Sequence, residues 1–450
     1  MISAANSRRS PAPPRPCGDD HIGPAAGWRR PGRSVTIRPV DGPSYDTVPS
    51  VLVVCPGQRD RLNLADERIL DRFALRFAGQ PIGPEFDSRT FVDHMIRFGP
   101  AADGILGSSD ATGHLATILA DAAGLPGPGR AAFMRCHDKL ACRRVQAAVV
   151  PEATPAFAQV DLDDATVVPP LPFPFFLKPV AAHLSQLAYR VADEAEFAAA
   201  VARARLEIDA VTAQDRALEG RTFRTLIAEE LLDGTLVTFE GWMQGGRMTP
   251  IGVTDAVMHP NGISFLRFEY PSALPEGPRQ AMAEVAARLM PALGFDGSLF
   301  NIEFFVRPDG RVTIVEVNGR MASQFAPLVQ AMHGVSSYEI QLDLCTGRTP
   351  RLPPARDDMV TASFLLRAYD DAVVRSVPDP SIVLERYPHA HVEVLVRPGR
   401  RLSENDDDTV SHRLAVVALA ARDRPSLLAR FAEAVELLQF QLQPVSAPVR

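Results

Sequence analysis

Lysine is almost absent from this 450-residue sequence: of its 47 basic residues only two, Lys139 and Lys178, are lysines. Cysteine is also scarce. The five cysteines form no Cys-x-x-Cys pair, which argues against a disulfide framework or a zinc site and favours a reducing cytoplasm. No apolar run is long enough to cross a membrane. The net charge of −7 argues against a dedicated nucleic-acid binder, which is usually basic. We therefore expect a cytoplasmic protein with neither a nucleic-acid nor a membrane partner.

The remaining composition is that of a globular protein. Hydrophobic residues make up 46% of the chain and charged residues 22%, which provides enough apolar mass for a packed core. At about 150 residues per domain, the length predicts roughly three domains. Because arginine serves almost everywhere a positive charge is needed, the two lysines mark positions where a compact ammonium cannot be replaced by a planar guanidinium. The alternative is that two surface lysines survived by chance.

The first half of the chain predicts a tail followed by a parallel sheet. Residues 1–46 are rich in proline and arginine, have no apolar segment typical of a secretory signal, and predict a disordered tail. The apolar run 51–55 is typical of a buried parallel strand. A second strand-and-turn signal at 104–110 leads into a predicted helix over 111–123, which Gly124 ends. There is no Gly-x-Gly-x-x-Gly motif, so we do not predict a dinucleotide site.

The second half mixes strands and helices. The clearest helix covers 276–293, where apolar residues keep to one face, and another begins after Asp193, which can cap it. Towards the C-terminus, runs at 360–366, 392–396 and 414–419 predict strands, and a helix begins near Asp423. The whole pattern predicts an α/β and α+β protein.

Segments 300–306 and 312–318 flank an Asp309-Gly310 turn and predict a β-hairpin. Because side chains alternate along a strand, Asn301 and Glu303 share one face of the first strand. Glu316 and Asn318 share one face of the second strand, with Val315 and Val317 opposite. Two carboxylates and an amide oxygen on adjacent strands are the hard donors that Mg²⁺ accepts, especially when phosphate oxygens complete its shell. The alternative is the polar outer face of an ordinary hairpin.

The two lysines lie in ordered elements. Lys178 ends the apolar strand 174–178, and Lys139 stands at the start of a predicted helix. The segment 227–234 reads as a strand that leaves into a turn. Two ammoniums, two carboxylates and an asparagine together predict a site for a nucleoside triphosphate and Mg²⁺.

In their order and spacing, these motifs resemble the ATP-grasp superfamily, and most of all its carboxylate–amine (amino-acid) ligase branch. The resemblance covers about 51–440. It implies an ATP-grasp fold with a preceding α/β domain at 47–129, an ATP-grasp domain at 130–350 and a closing C-terminal subdomain at 351–450.

The resemblance also implies a role for each matching residue. ATP phosphates would contact both lysines, Lys178 also lying near the adenine, and the transferred phosphate would contact Arg320. The hinge that reads the adenine would comprise Glu229, Glu230 and Leu232. The metal, Mg²⁺ with Mn²⁺ as an alternative ion, would be held by Glu303, Glu316 and Asn318.

The chain departs from the family pattern in two places. The loop 181–187 contains no glycine, although backbone N–H groups approach phosphate best where no Cβ intrudes. Ser185 or His183 would then supply side-chain contacts instead. After the hinge, Leu236 stands where relatives carry an acid, and Glu240 could supply the ribose contact.

The activity implied by the resemblance has two steps. A small-molecule carboxylate, expected to be an amino acid, attacks the γ-phosphate of ATP to form an acyl phosphate. An amine then displaces phosphate, with Arg320 and Lys178 as catalytic residues.

Two alternatives remain open: an ATP-binding module that has lost turnover, and a carboxylase-type ATP-grasp enzyme. Assembly as a homo-oligomer is also left open. The candidate substrate-facing residues have ordinary packing as an equally good interpretation. They are Arg267, Tyr270, Ser272, Ser323 and Gln324. Cys55 and Cys345 are expected to be core thiols.

Overall fold

The structure, a computed structural model, describes residues 48–83, 85–182, 186–262, 264–404 and 410–445. The predicted tail of 1–46 and the proposed phosphate contact Ser185 lie outside these ranges.

The first part of the described chain is a three-stranded parallel sheet, as predicted. Strand β1 (Ser50–Val54) lies between β2 (Ala74–Ala78) and β3 (Gly104–Leu106). The helices of this part are α1 (Gln58–Leu64), α2 (Glu67–Leu70), α3 (Ser88–Phe98) and α4 (Asp110–Ala123). Helix α4 begins where the Ser109 hydroxyl accepts a hydrogen bond from the backbone N–H of Thr112 at 3.2 Å. It ends at Gly124, whose φ of +68° is the left-handed conformation that favours glycine.

Four antiparallel strands form the next sheet, in the order β4-β7-β5-β6. They are β4 (Phe157–Asp161), β5 (Phe175–Pro179), β6 (Tyr189–Val191) and β7 (Thr225–Glu230). The accompanying helices are α5 (Arg130–His137), α6 (Lys139–Val149), α7 (Glu194–Val211) and α8 (Ala213–Glu219). As predicted, Asp193 caps α7, since its carboxylate accepts the backbone N–H of Glu196 at 2.9 Å. Phe197, Val201 and Ile208 of this helix are buried in one cluster with the apolar face of the sheet.

The largest sheet has eight antiparallel strands in the order β12-β11-β8-β9-β10-β13-β16-β15. Its strands are β8 (Thr235–Gln244), β9 (Arg247–Met258), β10 (Phe265–Tyr270), β11 (Ser298–Val306), β12 (Val312–Asn318), β13 (Val360–Ala368), β15 (His391–Val394) and β16 (His412–Ala421). A separate two-stranded sheet pairs β14 (Ala372–Ser376) with β17 (Gln441–Pro444). The remaining helices are α9 (Glu276–Ala292), α10 (Ala326–His333), α11 (Ser337–Cys345), α12 (Ser381–Arg386) and α13 (Arg424–Leu437).

This mixture of a parallel sheet and antiparallel sheets confirms the predicted α/β and α+β class. The predicted domain boundaries at 129/130 and 350/351 stay predictions. Pairing of β10 with β13 joins strands from both sides of the second boundary into one sheet.

The predicted hairpin is formed by β11 and β12. Its apolar face is buried against α9, with Ile302, Phe304, Ile314 and Val317 in one cluster. The predicted alternation breaks at one point, because the register shifts between the pairs Glu303–Glu316 and Phe304–Ile314. Val315 is the extra residue of this β-bulge, and Ile314 takes the core position opposite Phe304.

The four described cysteines are buried free thiols. Burial raises the pKa of Cys55 to about 11 and that of Cys345 to about 12, as expected for core thiols. None of the helices within the described ranges is long and apolar enough to cross a membrane.

Candidate active site

Two rungs of side chains run across one face of the large sheet. In the first rung, Glu303 of β11 pairs with Glu316 of β12 on one side and with Thr238 of β8 on the other. In the second rung, Asn301 pairs with Asn318 and with Glu240 in the same way. Because directly paired residues point to the same face, the two predicted metal carboxylates are neighbours, with both amides beside them. This is the arrangement that the alternation in the sequence predicts.

The environments of the two carboxylates differ. Burial, together with the nearby charge of Glu316, raises the pKa of Glu303. Burial also acts to raise the pKa of Glu316, but the positive charges of Lys139 and Lys178 outweigh it and lower this pKa. Glu316 is therefore the more acidic carboxyl group of the pair.

Lys139 reaches Glu316 from the start of helix α6. Asp138 caps this helix by accepting the backbone N–H of Ala141 at 3.1 Å, which fixes Lys139 as the first helical residue. The Lys139 Nζ lies 3.0 Å from Glu316 Oε1 and donates to the carbonyl of Ala182 at 3.2 Å. Burial acts to lower the pKa of Lys139, but the carboxylate of Glu316 outweighs it, so the net pKa is raised and the ammonium stays charged.

Lys178 projects from strand β5 towards the neighbouring strand β7. Its Nζ lies 2.8 Å from Glu229 Oε2. The other oxygen of Glu229 accepts from Arg143 Nε at 2.6 Å, and Arg143 also donates to the carbonyl of Val315 at 2.7 Å. Burial acts to raise the pKa of Glu229, whereas Arg143 and Lys178 together lower it below its usual value. The buried Glu229 carboxylate therefore bridges Lys178 and Arg143.

The other predicted hinge residues lie further out. Glu230 ends β7 with an exposed side chain, which pairs with Arg307 of the hairpin at 2.9 Å. Leu232 is half-buried in the short connection between β7 and β8. This connection links the four-stranded sheet to the eight-stranded one.

Arg320 follows the end of β12 and faces the N-terminal part of the chain. Its Nε and Nη2 donate to the two carboxylate oxygens of Asp110 at 2.7 and 2.8 Å. Asn301 donates to the Arg320 carbonyl at 3.1 Å, and Asn318 donates to the Asn301 side-chain oxygen at 3.0 Å. The Asn318 side-chain oxygen lies 3.4 Å from Arg320 Nη2. Arg320 and Asn318 therefore lie side by side at the edge of the carboxylate pair.

The remaining candidates lie at several positions along the large sheet. Glu240 is buried in the second rung, away from the hinge, and Tyr270 lies on the same face of the sheet. Arg267 lies on the opposite face, ion-paired with Glu269 at 2.6 Å. Gln324 donates to the Ser363 hydroxyl at 3.0 Å.

Among the described residues, no group of three or more histidine, cysteine, aspartate or glutamate side chains is arranged to hold a metal. A metal ion at the predicted site would be coordinated by two carboxylates, an amide oxygen and ligands from outside the chain.

Sequence reasoning missed two residues of this site. Arg143 stands one helical turn after Lys139, and this i, i+4 spacing would have placed both cations on one face of α6. Asp110 follows β3 and the Ser109 cap, at the carboxyl end of a parallel strand, where ligands of α/β sheets commonly bind.

Comparisons with known proteins match one segment of this chain to a family and identify solved structures of similar fold. Residues 171–327, which carry Lys178, Glu229, both predicted metal carboxylates and Arg320, match the family model of the ATP-grasp domain. The matched segment is an ATP-grasp domain. Among curated proteins, this chain is 26% identical over 334 residues to the uncharacterized protein y4rH of Sinorhizobium fredii. The match covers 72% of this chain and 64% of that protein.

Solved structures share the ATP-grasp fold. The L-amino acid ligase of Bacillus licheniformis superimposes with a TM-score of 0.69 at 16% identity, over 88% of this chain and 99% of that one. The phosphoribosylglycinamide synthetase of Anaerococcus prevotii superimposes with a TM-score of 0.60 at 13% identity, over 88% of this chain and 100% of that one. A biotin carboxylase–beta-gamma-ATP complex from Campylobacter jejuni superimposes with a TM-score of 0.62 at 14% identity, over 88% of this chain and 92% of that one. At these identities the likeness concerns the fold.

Proposed function

We propose that this protein is an ATP-dependent ligase that joins a carboxylate, expected to be an amino acid, to an amine through an acyl phosphate. One observation carries this proposal. Lys139 comes from helix α6 and Lys178 from strand β5, yet the positive charges of both lower the pKa of Glu316, the partner of Glu303 in the rung. Two ammoniums beside two carboxylates fit a triphosphate and a divalent cation better than they fit a structural core.

The proposed nucleotide position follows the order of these residues. The adenine would lie against the backbone near Glu230 and Leu232, and the phosphates would contact Lys139 and Lys178. Glu303, Glu316 and Asn318 offer hard oxygen donors, which suits Mg²⁺ or Mn²⁺. When bound, the metal would neutralise phosphate charge.

Each proposed phosphate-binding cation is already held by a carboxylate of the chain. Lys139 contacts Glu316, Lys178 contacts Glu229, and Arg320 contacts Asp110. These pairs fix the side chains before the nucleotide arrives, which reduces the conformational entropy lost on binding. Phosphate oxygens would take over part of these contacts, and Glu316 would exchange the Lys139 ammonium for the metal.

The proposed chemistry balances in two steps. A carboxylate oxygen of the substrate attacks the γ-phosphorus, the bond from that phosphorus to the bridging oxygen breaks, and ADP leaves. The amine then attacks the acyl carbon, phosphate leaves with the carbon–oxygen electron pair, and the amine loses a proton. Lys139, Lys178 and Arg320 hold the groups on which negative charge develops, so catalysis is mainly positioning and electrostatic stabilisation.

A screen of ADP release tests this proposal. Purified protein is incubated with Mg·ATP and pairs of amino acids, and ADP, AMP and the ligated product are quantified. We expect ADP and phosphate only where both a carboxylate and an amine are supplied. AMP and pyrophosphate would contradict the acyl-phosphate route. ATP binding without substrate-stimulated ADP would favour a module that has lost turnover, and ADP release stimulated by bicarbonate alone would favour a carboxylase.

A further inference from the structure

A second acidic feature lies beyond the metal carboxylates. Glu240 of β8 is buried, with 3% of its surface exposed, and within the described ranges its Oε2 has no hydrogen-bond partner. On the neighbouring strand β9, Thr254 is 1% exposed, and its hydroxyl also lacks a partner there. A buried polar group without a partner is costly, so two of them on adjacent strands require an explanation.

Both groups point to the same face of the sheet. Glu240 pairs with Gly252 and Thr238 pairs with Thr254, so Glu240 and Thr254 are diagonal neighbours on the face that carries Glu303. Diagonal neighbours in antiparallel strands lie about 7–8 Å apart at their Cα atoms, close enough for one small ligand group to reach both side chains. The two unpartnered oxygens therefore belong to neighbouring side chains on one face of the sheet.

The polar groups around Glu240 are already engaged. The Tyr270 hydroxyl contacts the Ile251 carbonyl at 3.1 Å and His333 Nε2 at 2.6 Å, which commits its single hydrogen. The Asn301 amide donates to the Arg320 carbonyl. Next to Glu240, a Cβ on Gly252 would come within 2.6 Å of the Tyr270 ring, so that ring packs closely against Gly252. Burial raises the pKa of Glu240 to about 8, as expected for a carboxyl group with no cation beside it.

The position along β8 indicates which ligand would enter. Starting from the hinge, the strand first reaches Thr238, in the rung of Glu303, and then Glu240, two residues or about 6.6 Å further on. A ribose lies between adenine and phosphates, hence on the hinge side of Glu303. With the nucleotide in the proposed position, Glu240 would lie on the far side of Glu303, where the γ-phosphate would meet its acceptor. In that position the ribose would lie on the other side of Glu303 from Glu240, so the ribose contact predicted for Glu240 and a contact with the acceptor are alternatives.

We propose that Glu240 and Thr254 bind the ammonium group of the carboxylate substrate, so that this site selects an amino acid over the same acid without its amine. The proposal rests on the proposed function for the identity of the acceptor. An ammonium group offers three N–H donors and one positive charge, which would satisfy Glu240 by a charge-assisted hydrogen bond and Thr254 by a neutral one. Glu240 is thus a specificity-determining residue.

The test compares amino acids with their des-amino analogues. Each of the twenty protein amino acids is titrated calorimetrically into the full-length protein with Mg and a non-hydrolysable ATP analogue, and each that binds is compared with its des-amino acid. ADP formation is measured with the same compounds. The variants are Glu240→Gln and Thr254→Val, with Glu393→Gln as the control, a buried glutamate at the opposite edge of the same sheet.

We expect Glu240→Gln to weaken amino-acid binding about 10- to 100-fold, the scale of one charged hydrogen bond, and to abolish the preference over the des-amino acid. Thr254→Val should give a smaller loss, and Glu393→Gln none. Affinity for the ATP analogue should stay within about twofold, whereas the predicted ribose contact would weaken it in Glu240→Gln.

Separate results overturn the two proposals. ADP formation with amino and des-amino acids alike, unchanged in Glu240→Gln, would refute the ammonium site and leave the ligase proposal standing. Amino-acid binding that depends on Glu240 without ADP formation would support the ammonium site and contradict the ligase. No amino-acid binding to the wild-type protein would refute the ammonium site.

Discussion

Arg320 and Asp110, 210 positions apart in the chain, form a two-point ion pair with N···O distances of 2.7 and 2.8 Å. Asp110 is the first residue of α4, which follows the parallel sheet, whereas Arg320 follows the hairpin that carries Glu303 and Glu316. Burial acts to lower the pKa of Arg320, but Asp110 outweighs it and the net pKa is raised. The pair fixes the direction of the guanidinium proposed to hold the transferred phosphate.

Asp110→Asn keeps the shape of the side chain but removes its charge. We expect kcat to fall about 10- to 100-fold, since one charged hydrogen bond contributes about 1.5 to 3 kcal/mol. The KM for ATP should change little, because Lys139 and Lys178 are untouched, and Asp110→Glu should recover part of the rate. The control is Asp121→Asn, an exposed aspartate of the same helix. Steady-state ADP release measures all four proteins, and an unchanged kcat in Asp110→Asn would remove the positioning role.

Lys178→Arg retains the charge but changes its shape. The guanidinium is a planar fork, and the 2.8 Å contact to Glu229 leaves room for a compact ammonium. We expect ATP to bind about 10- to 100-fold more weakly, in line with one charged contact of about 1.5 to 3 kcal/mol. Titration calorimetry with ATP measures this, and Arg356→Lys in an exposed ion pair with Asp358 is the control. Equal ATP affinity would mean that Lys178 does not contact the phosphates.

Glu316→Gln and Glu303→Gln test the metal site separately. Each keeps its volume and removes one charge from the proposed Mg²⁺ shell. We expect both proteins to fold, with turnover reduced at least about 100-fold and a higher Mg²⁺ concentration needed for half-maximal rate. The control is Glu284→Gln, on the exposed face of α9. If both variants kept full activity at low Mg²⁺, the rung would be only a polar surface.

His114 of α4 makes the free energy of unfolding depend on pH. Its Nε2 lies 2.8 Å from Glu219 and its Nδ1 3.3 Å from Asp215, both on α8. Burial acts to lower the pKa of His114, but the two carboxylates outweigh it and raise the net pKa above the ordinary value of about 6.5. Protonation of His114 therefore stabilises the folded state below about pH 6.5, and this contribution disappears as pH rises through the raised pKa.

Chemical denaturation between about pH 6 and pH 9 measures this effect. The stability difference between wild type and His114→Asn should be largest at the acidic end and shrink towards the basic end. Glu219→Gln should move that decline to lower pH, because it removes one of the two charges that raise the pKa of His114. A difference that stays constant across the range would show that the pKa of His114 is the same in the folded and unfolded states.

Local patterns predicted much of this site. Alternation along β11 and β12 placed Glu303 and Glu316 on one face, because period-2 side-chain geometry needs no tertiary information. The capped start of α6 and the apolar run of β5 placed Lys139 and Lys178 in ordered elements. With only two lysines in the chain, their positions carried more information than lysines usually do.

Contacts between distant segments could not be predicted in the same way. The partners of Lys178 and Arg320 come from β7 and α4, and nothing local to either residue specifies them. The role proposed for Glu240 rests on the register of β8 against β11, which sequence alone does not fix. The bulge at Val315 likewise shifted one core position, because strand alternation assumes an unbroken ladder.

Trapping the acyl phosphate tests the central claim most directly. Purified protein is incubated with Mg·ATP, single amino acids and hydroxylamine in place of the natural amine, and hydroxamate and ADP are quantified together. The proposed mechanism predicts equal amounts of hydroxamate and ADP, dependent on the amino acid, and neither product above background with Glu316→Gln. Hydroxamate accompanied by AMP instead of ADP would show adenylation and contradict the mechanism.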